Sequence, residues 1–209
     1  MIIVLVLAGC FIGSAAWLTR YALDARGHQQ LREALDWLHT EAEELSYAPR
    51  EKLFLLRVRY PAVAAWLSLP GLALSEPVCE APDNDYYVTH DFTGRESRYG
   101  ALFFDVDDDA VIYGHYSKQG DMFGALKAYA DPAFLAAQPV VLLETQAGAT
   151  RWTVTGAQVI PAETFWRWKA AQVAAHEPPL LFLVTCAYDF PDARLVLTAV
   201  QNTDGGKTE

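Results

Sequence analysis

Apolar positions along this chain first form one unbroken run, then recur at helical spacing, then shorten into strand-length blocks separated by Gly, Pro and Asp. The unbroken run, Met1–Leu18, carries no ionisable side chain except the Cys10 thiol and is closed by Thr19-Arg20. About eighteen apolar or small residues suffice for a helix to cross a bilayer, so residues 1–19 are expected to be an N-terminal membrane anchor. From Tyr21 to Tyr60 no Gly follows Gly27, and Leu31, Leu35 and Leu38 fall at i, i+4 and i+7 among Glu33, Asp36 and Glu41. That is the amphipathic helical period. A second helix is expected after Pro49, burying Leu53, Phe54 and Leu56, which makes 20–60 a helical N-terminal segment.

Beyond Pro61 the period changes to that of strands. Trp66–Leu69 ends at the turn Pro70-Gly71; Gly100–Asp105 and Ala110–Tyr113 flank an acidic turn; Pro139–Thr145 and Thr150–Thr155 flank Gln146-Ala-Gly-Ala. Leu181–Thr185 reads as a buried strand, AYDFPDA as a turn, and Arg194–Val200 as a returning strand. Helical composition is confined to Gly120–Tyr129, one turn at Asp131, and Pro161–His176, where Trp166, Ala170 and Val173 are expected to form a core stripe. Many short strands with Gly and Pro turns predict a mostly β, closed barrel over 61–200. The polar tail 201–209 is expected to be disordered.

Composition narrows the function. A 52% hydrophobic, 20% charged chain is a folding one, and a net charge of -10 without any basic stripe excludes generic nucleic-acid binding. No phosphate-cradling loop, dinucleotide fingerprint or paired Cys/His metal spacing is present, so no cofactor is expected. Asp105, Asp107, Asp108 and Asp109 invite a calcium site, but the spacing lacks the Gly and distal Glu of a loop motif, and a solvated hairpin turn is the preferred reading. His28 and His39 sit in the polar helical region and His90 in a polar loop. Three cysteines, with Cys10 in the anchor and Cys79 read as a core thiol, leave no disulfide pair that would argue for an oxidising compartment.

Candidate chemistry concentrates at strand ends. Cys186 closes one strand, Arg194 opens the next across the turn, and Gly114-His115 ends another β-branched and aromatic run. A thiol, an imidazole and a guanidinium so placed suit thiol acyl transfer as nucleophile, acid/base and oxyanion partner. The competing reading of Cys186 is a small core residue.

The segments VIYGH, QGDMFGALKAY, LVTC and ARLVL, in this order and with DNDYYVTHDFTGRESRYGALFFD upstream, resemble a class B sortase over roughly Trp66–Val200. The resemblance implies an eight-stranded barrel with N-terminal helices packed outside it. It also implies catalysis by His115, Cys186 and Arg194. The implied reaction cleaves a C-terminal sorting signal of a secreted protein after Thr, through a thioacyl-enzyme, and transfers the protein to a cell-wall peptide amine. A pilin lysine as acceptor, or a catalytically silent sortase-like binding protein, are the alternatives. The family is anchored with its catalytic domain outside the cell, whereas Arg20 and Arg26 after the span favour the opposite orientation on the positive-inside rule. Leu7-Ala-Gly-Cys10 also matches a lipobox, although the apolar run continues beyond the cysteine. Class B members usually carry a long helix-containing insertion before the catalytic cysteine that helps wall the substrate groove. Here only Ile160–Pro179 is available, so a shorter wall and looser side-chain discrimination are expected.

Overall fold

The computed structural model describes residues 2–44, 48–116, 122–177 and 179–202. The chain divides into two compact units, Met1–Glu41 and Ala42–Glu209. In the first, a single helix α1 (Ile2–Glu44) runs through both the apolar run and the amphipathic stretch. Nothing in its sequence interrupts it, since it contains no Pro and its glycines weaken a helix without breaking it. Leu7, Phe11, Ile12, Trp17 and Leu18 are exposed on it.

The second unit opens with α2 (Pro49–Arg59), started by Pro at its first position and by Glu51, whose carboxylate accepts from the Ala48 N–H at 3.1 Å. Leu53 and Leu56 are buried, but Phe54 is 62% exposed, against the expectation that it shares their face. The reason is angular: Leu53 and Leu56 lie three apart on one stripe, and at about 100° per residue Phe54 is turned well away from it.

Eight strands follow: β1 (Val63–Leu69), β2 (Leu74–Cys79), β3 (Leu102–Asp105), β4 (Asp108–Tyr113), β5 (Val140–Thr145), β6 (Gly148–Pro161), β7 (Leu180–Cys186) and β8 (Ala193–Gln201). They close into a barrel in the order β1-β2-β3-β4-β7-β8-β6-β5. Between them lie short helices α3 (Tyr86–Thr89) and α4 (Pro132–Ala137), 3-10 turns at Pro70–Leu72, Phe123–Ala130 and Ala162–Thr164, and the helix α5 (Phe165–Ala175). Strand β6 is longer than its sequence predicts, passing Gly156 through a register shift and pairing with β8 as far as Pro161↔Ala193. Gln201 also differs from its expected place in a disordered tail, for it pairs with Trp152, and Asn202 accepts from the Thr153 hydroxyl at 2.8 Å. Residues 203–209 and the loop 117–121 lie outside the described residues.

Alternation along the strands sorts side chains into two layers. Leu67, Leu102, Ile112, Phe123, Leu181, Leu183 and Leu197 fill the barrel interior. Val111, Phe182, Val184 and Val196 face outward and are covered by Phe165 of α5, with Trp168 packed beside them. This is why β7 reads as an uninterrupted apolar run: it is buried on both faces.

The acidic hairpin is not wholly solvated, contrary to the sequence reading. Asp105 is 2% exposed and accepts from Asn84 Nδ2 and the Asp107 N–H, each at 2.9 Å, and Asp108 is paired with Lys169. Among the described residues no cluster of metal-ligating side chains occurs.

At Gly114, just past β4, an added Cβ would lie 2.5 Å from Leu102 Cδ2 and 2.6 Å from the Phe123 ring, both fully packed. We expect Gly114→Ala to lose about 1–3 kcal/mol of stability, read as a lower urea midpoint with an unchanged m-value. A variant as stable as the parent would show that these neighbours have room to move.

Candidate active site

Two pairings bring distant segments together. Antiparallel β7 and β8 set Cys186 directly opposite Arg194. Parallel β4 and β7 set Tyr113 beside Val184, and the Gly114 N–H continues that ladder to the Val184 carbonyl at 3.1 Å. Carrying the register two residues on places His115 level with Cys186. Alternation does the rest: Tyr113 and His115 on β4 and beyond, Val184 and Cys186 on β7, and Arg194 and Val196 on β8 share the outward face beneath α5.

On that face lies a cavity of about 440 Å³ whose wall includes His115, Cys186 and Arg194. The structure thus puts all three sequence-predicted residues around one space. His90, the other histidine weighed for chemistry, is elsewhere, stacked on Tyr86 at 4.1 Å with Nδ1 2.9 Å from the Tyr86 carbonyl. Cys79 is fully buried on β2, and burial pushes its thiol up to about 12. It is therefore a poor thiolate donor at neutral pH.

Each of the three has a defined setting. The His115 carbonyl accepts from the Phe123 N–H at 3.2 Å, and Tyr116 bridges to Met122, which holds the backbone on the far side of the histidine. Burial lowers the His115 pKa below its ordinary 6.5. Arg194 donates from Nη1 to the Ala193 carbonyl at 3.1 Å, and among the described residues no carboxylate pairs with it. Its remaining N–H donors can therefore meet negative charge developing in the cavity.

Sequence reasoning gave no site role to four other wall residues, Asn84, Tyr113, Thr185 and Trp166, the last of which it expected in a core stripe. Asn84 is fixed by Asp105 and by the Val106 N–H, which donates to its Oδ1 at 3.1 Å. The Tyr113 hydroxyl is held in its neutral form, first by burial and then by the charge and hydrogen bond of Asp105, with Arg194 opposing. Thr185 is 2% exposed, and among the described residues its hydroxyl has no hydrogen-bond partner. Tyr113 carried a usable signal, since it precedes His115 by two and so shares its face; the others depend on long-range packing.

A sortase domain matches residues 67–202, well over half of the chain, and the chain belongs to the sortase family. Class B is the branch it resembles. Sortase B of Listeria monocytogenes is 32% identical over 112 residues, covering 50% of this chain and 45% of that protein. Sortase B of Staphylococcus aureus is 25% identical over 93 residues, 41% of this chain and 38% of that protein. The chain therefore spans less than half the length of these curated relatives in the matched stretch. Among solved structures, sortase B of Clostridium perfringens has a TM-score of 0.63 at 24% identity, covering 70% of this chain and 97% of its own. A Staphylococcus aureus sortase B–substrate complex has a TM-score of 0.70 at 17% identity, covering 83% and 95%. These structural likenesses establish the eight-stranded barrel.

The lowered His115 pKa carries a sign. The folded protein binds this proton less readily than the unfolded chain, so the contribution of His115 to stability is complete above about pH 6.5 and is lost as pH falls through the folded value. Denaturation between pH 8 and 5 should show the parent losing more stability on acidification than His115→Gln. Equal losses would mean that His115 titrates as it does in the unfolded chain.

Proposed function

We propose that this chain is a membrane-anchored cysteine transpeptidase of the class B sortase kind. It cuts a C-terminal sorting signal after Thr and transfers the severed protein to a peptide amine of the cell wall. The observation that supports this most is the shared outward face, where pairing and alternation gather Cys186, His115 and Arg194 around one cavity. In this reading residues 61–200 are the catalytic barrel, 20–60 a helical N-terminal segment, and 1–19 the anchor.

The chemistry follows from the three side chains. Cys186, as thiolate, attacks the Thr carbonyl carbon, and the oxyanion that forms is met by Arg194, whose remaining N–H donors no carboxylate engages among the described residues. Collapse breaks the C–N bond, and His115 gives its proton to the leaving amine. The thioester is then attacked by the acceptor amine, whose proton passes to His115 as the thiolate departs. One acyl bond replaces another, so the transfer needs no external energy source. A similar solved structure is a sortase B complexed with triglycine, and a peptide's terminal amine is the acceptor chemistry we assign here. Because burial disfavours imidazolium, only a minor fraction of His115 carries the proton at pH 7, and slow turnover follows.

Among the described residues alone, no helix is long and apolar enough to cross a membrane. The run Met1–Leu18 also includes side chains outside that description, at positions 1–6 and 8, and with them it is uncharged throughout. We assign it as a single span with the barrel on the extracellular face.

Cys186→Ala should abolish cleavage and transfer of a sorting peptide while the fold persists, and Cys79→Ala should remain active if it folds. Arg194→Ala should lose about a hundredfold or more in kcat. Comparable damage from Cys79→Ala in a folded protein would move the nucleophile away from Cys186. The full chain should stay with membranes through alkaline extraction, and release into the supernatant would remove the anchor. Fatty-acid label lost on Cys10→Ala would replace the span by lipidation.

A further inference from the structure

Helix α5 does not use the face its sequence suggests. Trp166 and Val173, the expected core stripe with Ala170, are each 48% exposed, and the buried positions are Phe165 and Lys169. A lysine 9% exposed in an acidic, apolar-rich protein requires explanation. Lys169 Nζ is bonded to Asp108 Oδ2 at the start of β4, and the other carboxylate oxygen accepts from the Ala110 N–H at 3.0 Å. The same ammonium lies 5.7 Å from the Trp166 ring centroid and 5.4 Å from that of Phe182. Beside it on the helix, Trp168 donates from Nε1 to Gln158 of β6 at 3.0 Å.

Stability alone does not account for this arrangement. Phe165 already packs on Val111, Phe182, Val184 and Val196, and an apolar residue at 169 would add to that contact without the cost of drying an ammonium and a carboxylate. What an ion pair supplies beyond apolar packing is direction. It fixes the rotation and height of α5 on the barrel, and so fixes where Trp166, one turn earlier, stands in the cavity wall.

We propose that Lys169, held by Asp108, is a positioning residue that sets Trp166 as one side of the cleft, and that apolar groups of the sorting peptide beside the scissile bond pack on the Trp166 indole. The inference rests on the cavity around Cys186 being the peptide site. It locates the specificity of a short wall in one residue and its support.

The test uses the full chain and a fluorogenic sorting peptide, with alkylation of Cys186 by iodoacetamide as a measure of the reacting centre. Trp166→Ala should raise KM about tenfold with kcat within about twofold, the pattern of lost binding energy. Lys169→Met should raise KM in the same way and leave the alkylation rate unchanged. The combined variant should be no worse in KM than Trp166→Ala, because Lys169 acts through that ring. Asp108→Asn should follow Lys169→Met. Multiplying KM effects in the combined variant would overturn the proposal, as would a Lys169→Met protein that loses thermal stability and kcat together at unchanged KM. If Trp166→Ala leaves KM unaltered while Cys186→Ala abolishes turnover, the inference fails and the functional reading stands. If Cys186→Ala retains turnover, the functional reading fails first.

Discussion

The antiparallel register of β7 on β8 is the constraint from which the site is built. Cys186 meets Arg194 because seven successive positions of β7 are matched from Leu180↔Val200 onward. A slip of one residue would send both side chains into the barrel interior and bring Thr185 and Leu195 to the outer face. That slip is opposed on both sides at once. Leu181, Leu183, Leu195 and Leu197 would leave the inner core, and Phe182, Val184 and Val196 would lose the cover of α5. The Cys186–Arg194 pairing is thus held in place by two hydrophobic layers.

His115 is added by a different kind of link. Strands β4 and β7 are parallel neighbours separated by some seventy residues of chain, and only barrel closure makes them adjacent. Gly114 is the joint, for its backbone continues the β4–β7 ladder while Leu102 and Phe123 occupy the space of any side chain. The same strand begins at Asp108, where α5 is attached. His115 and the Asp108 anchor of α5 therefore hang from opposite ends of one six-residue strand.

What is legible in the sequence is local. The run before Cys186, the Pro- and Asp-rich turn, and the strand after Arg194 each announce themselves within a few residues, and so does the Gly-His at the end of β4. The barrel class follows from strand number and turn spacing. What is not legible depends on which surface covers which. Periodicity on α5 suggests the Trp166, Ala170 and Val173 stripe, whereas Asp108 on the barrel and the apolar layer of Val111, Phe182, Val184 and Val196 draw Lys169 and Phe165 inward instead. Phe54 on α2 departs from expectation for a local reason, its angle from the Leu53–Leu56 stripe. The acidic turn reads as uniformly solvated because its buried partners, Asn84 and Lys169, lie some twenty and sixty residues away in the chain. Strand β6 reads as ending at Thr155 because Gly156 imitates a turn, whereas in the barrel it marks a register shift inside a strand whose partner is about forty residues away.

Closure of the barrel also limits how any extended chain can be held. Among the described residues every strand of β1–β8 has a neighbour on both sides over part of its length, although Gly156–Pro161 of β6 pairs with β8 alone, so closure leaves little edge to which an extended chain could add as a further strand. A chain laid against the closed part of the barrel is denied the main-chain ladder that makes strand-addition grooves tolerant of sequence. Its grip must come from side chains projecting over the outer face, and its reading frame from where those side chains stand. For a chain so held, discrimination is a property of a few rings and amides rather than of a length of backbone.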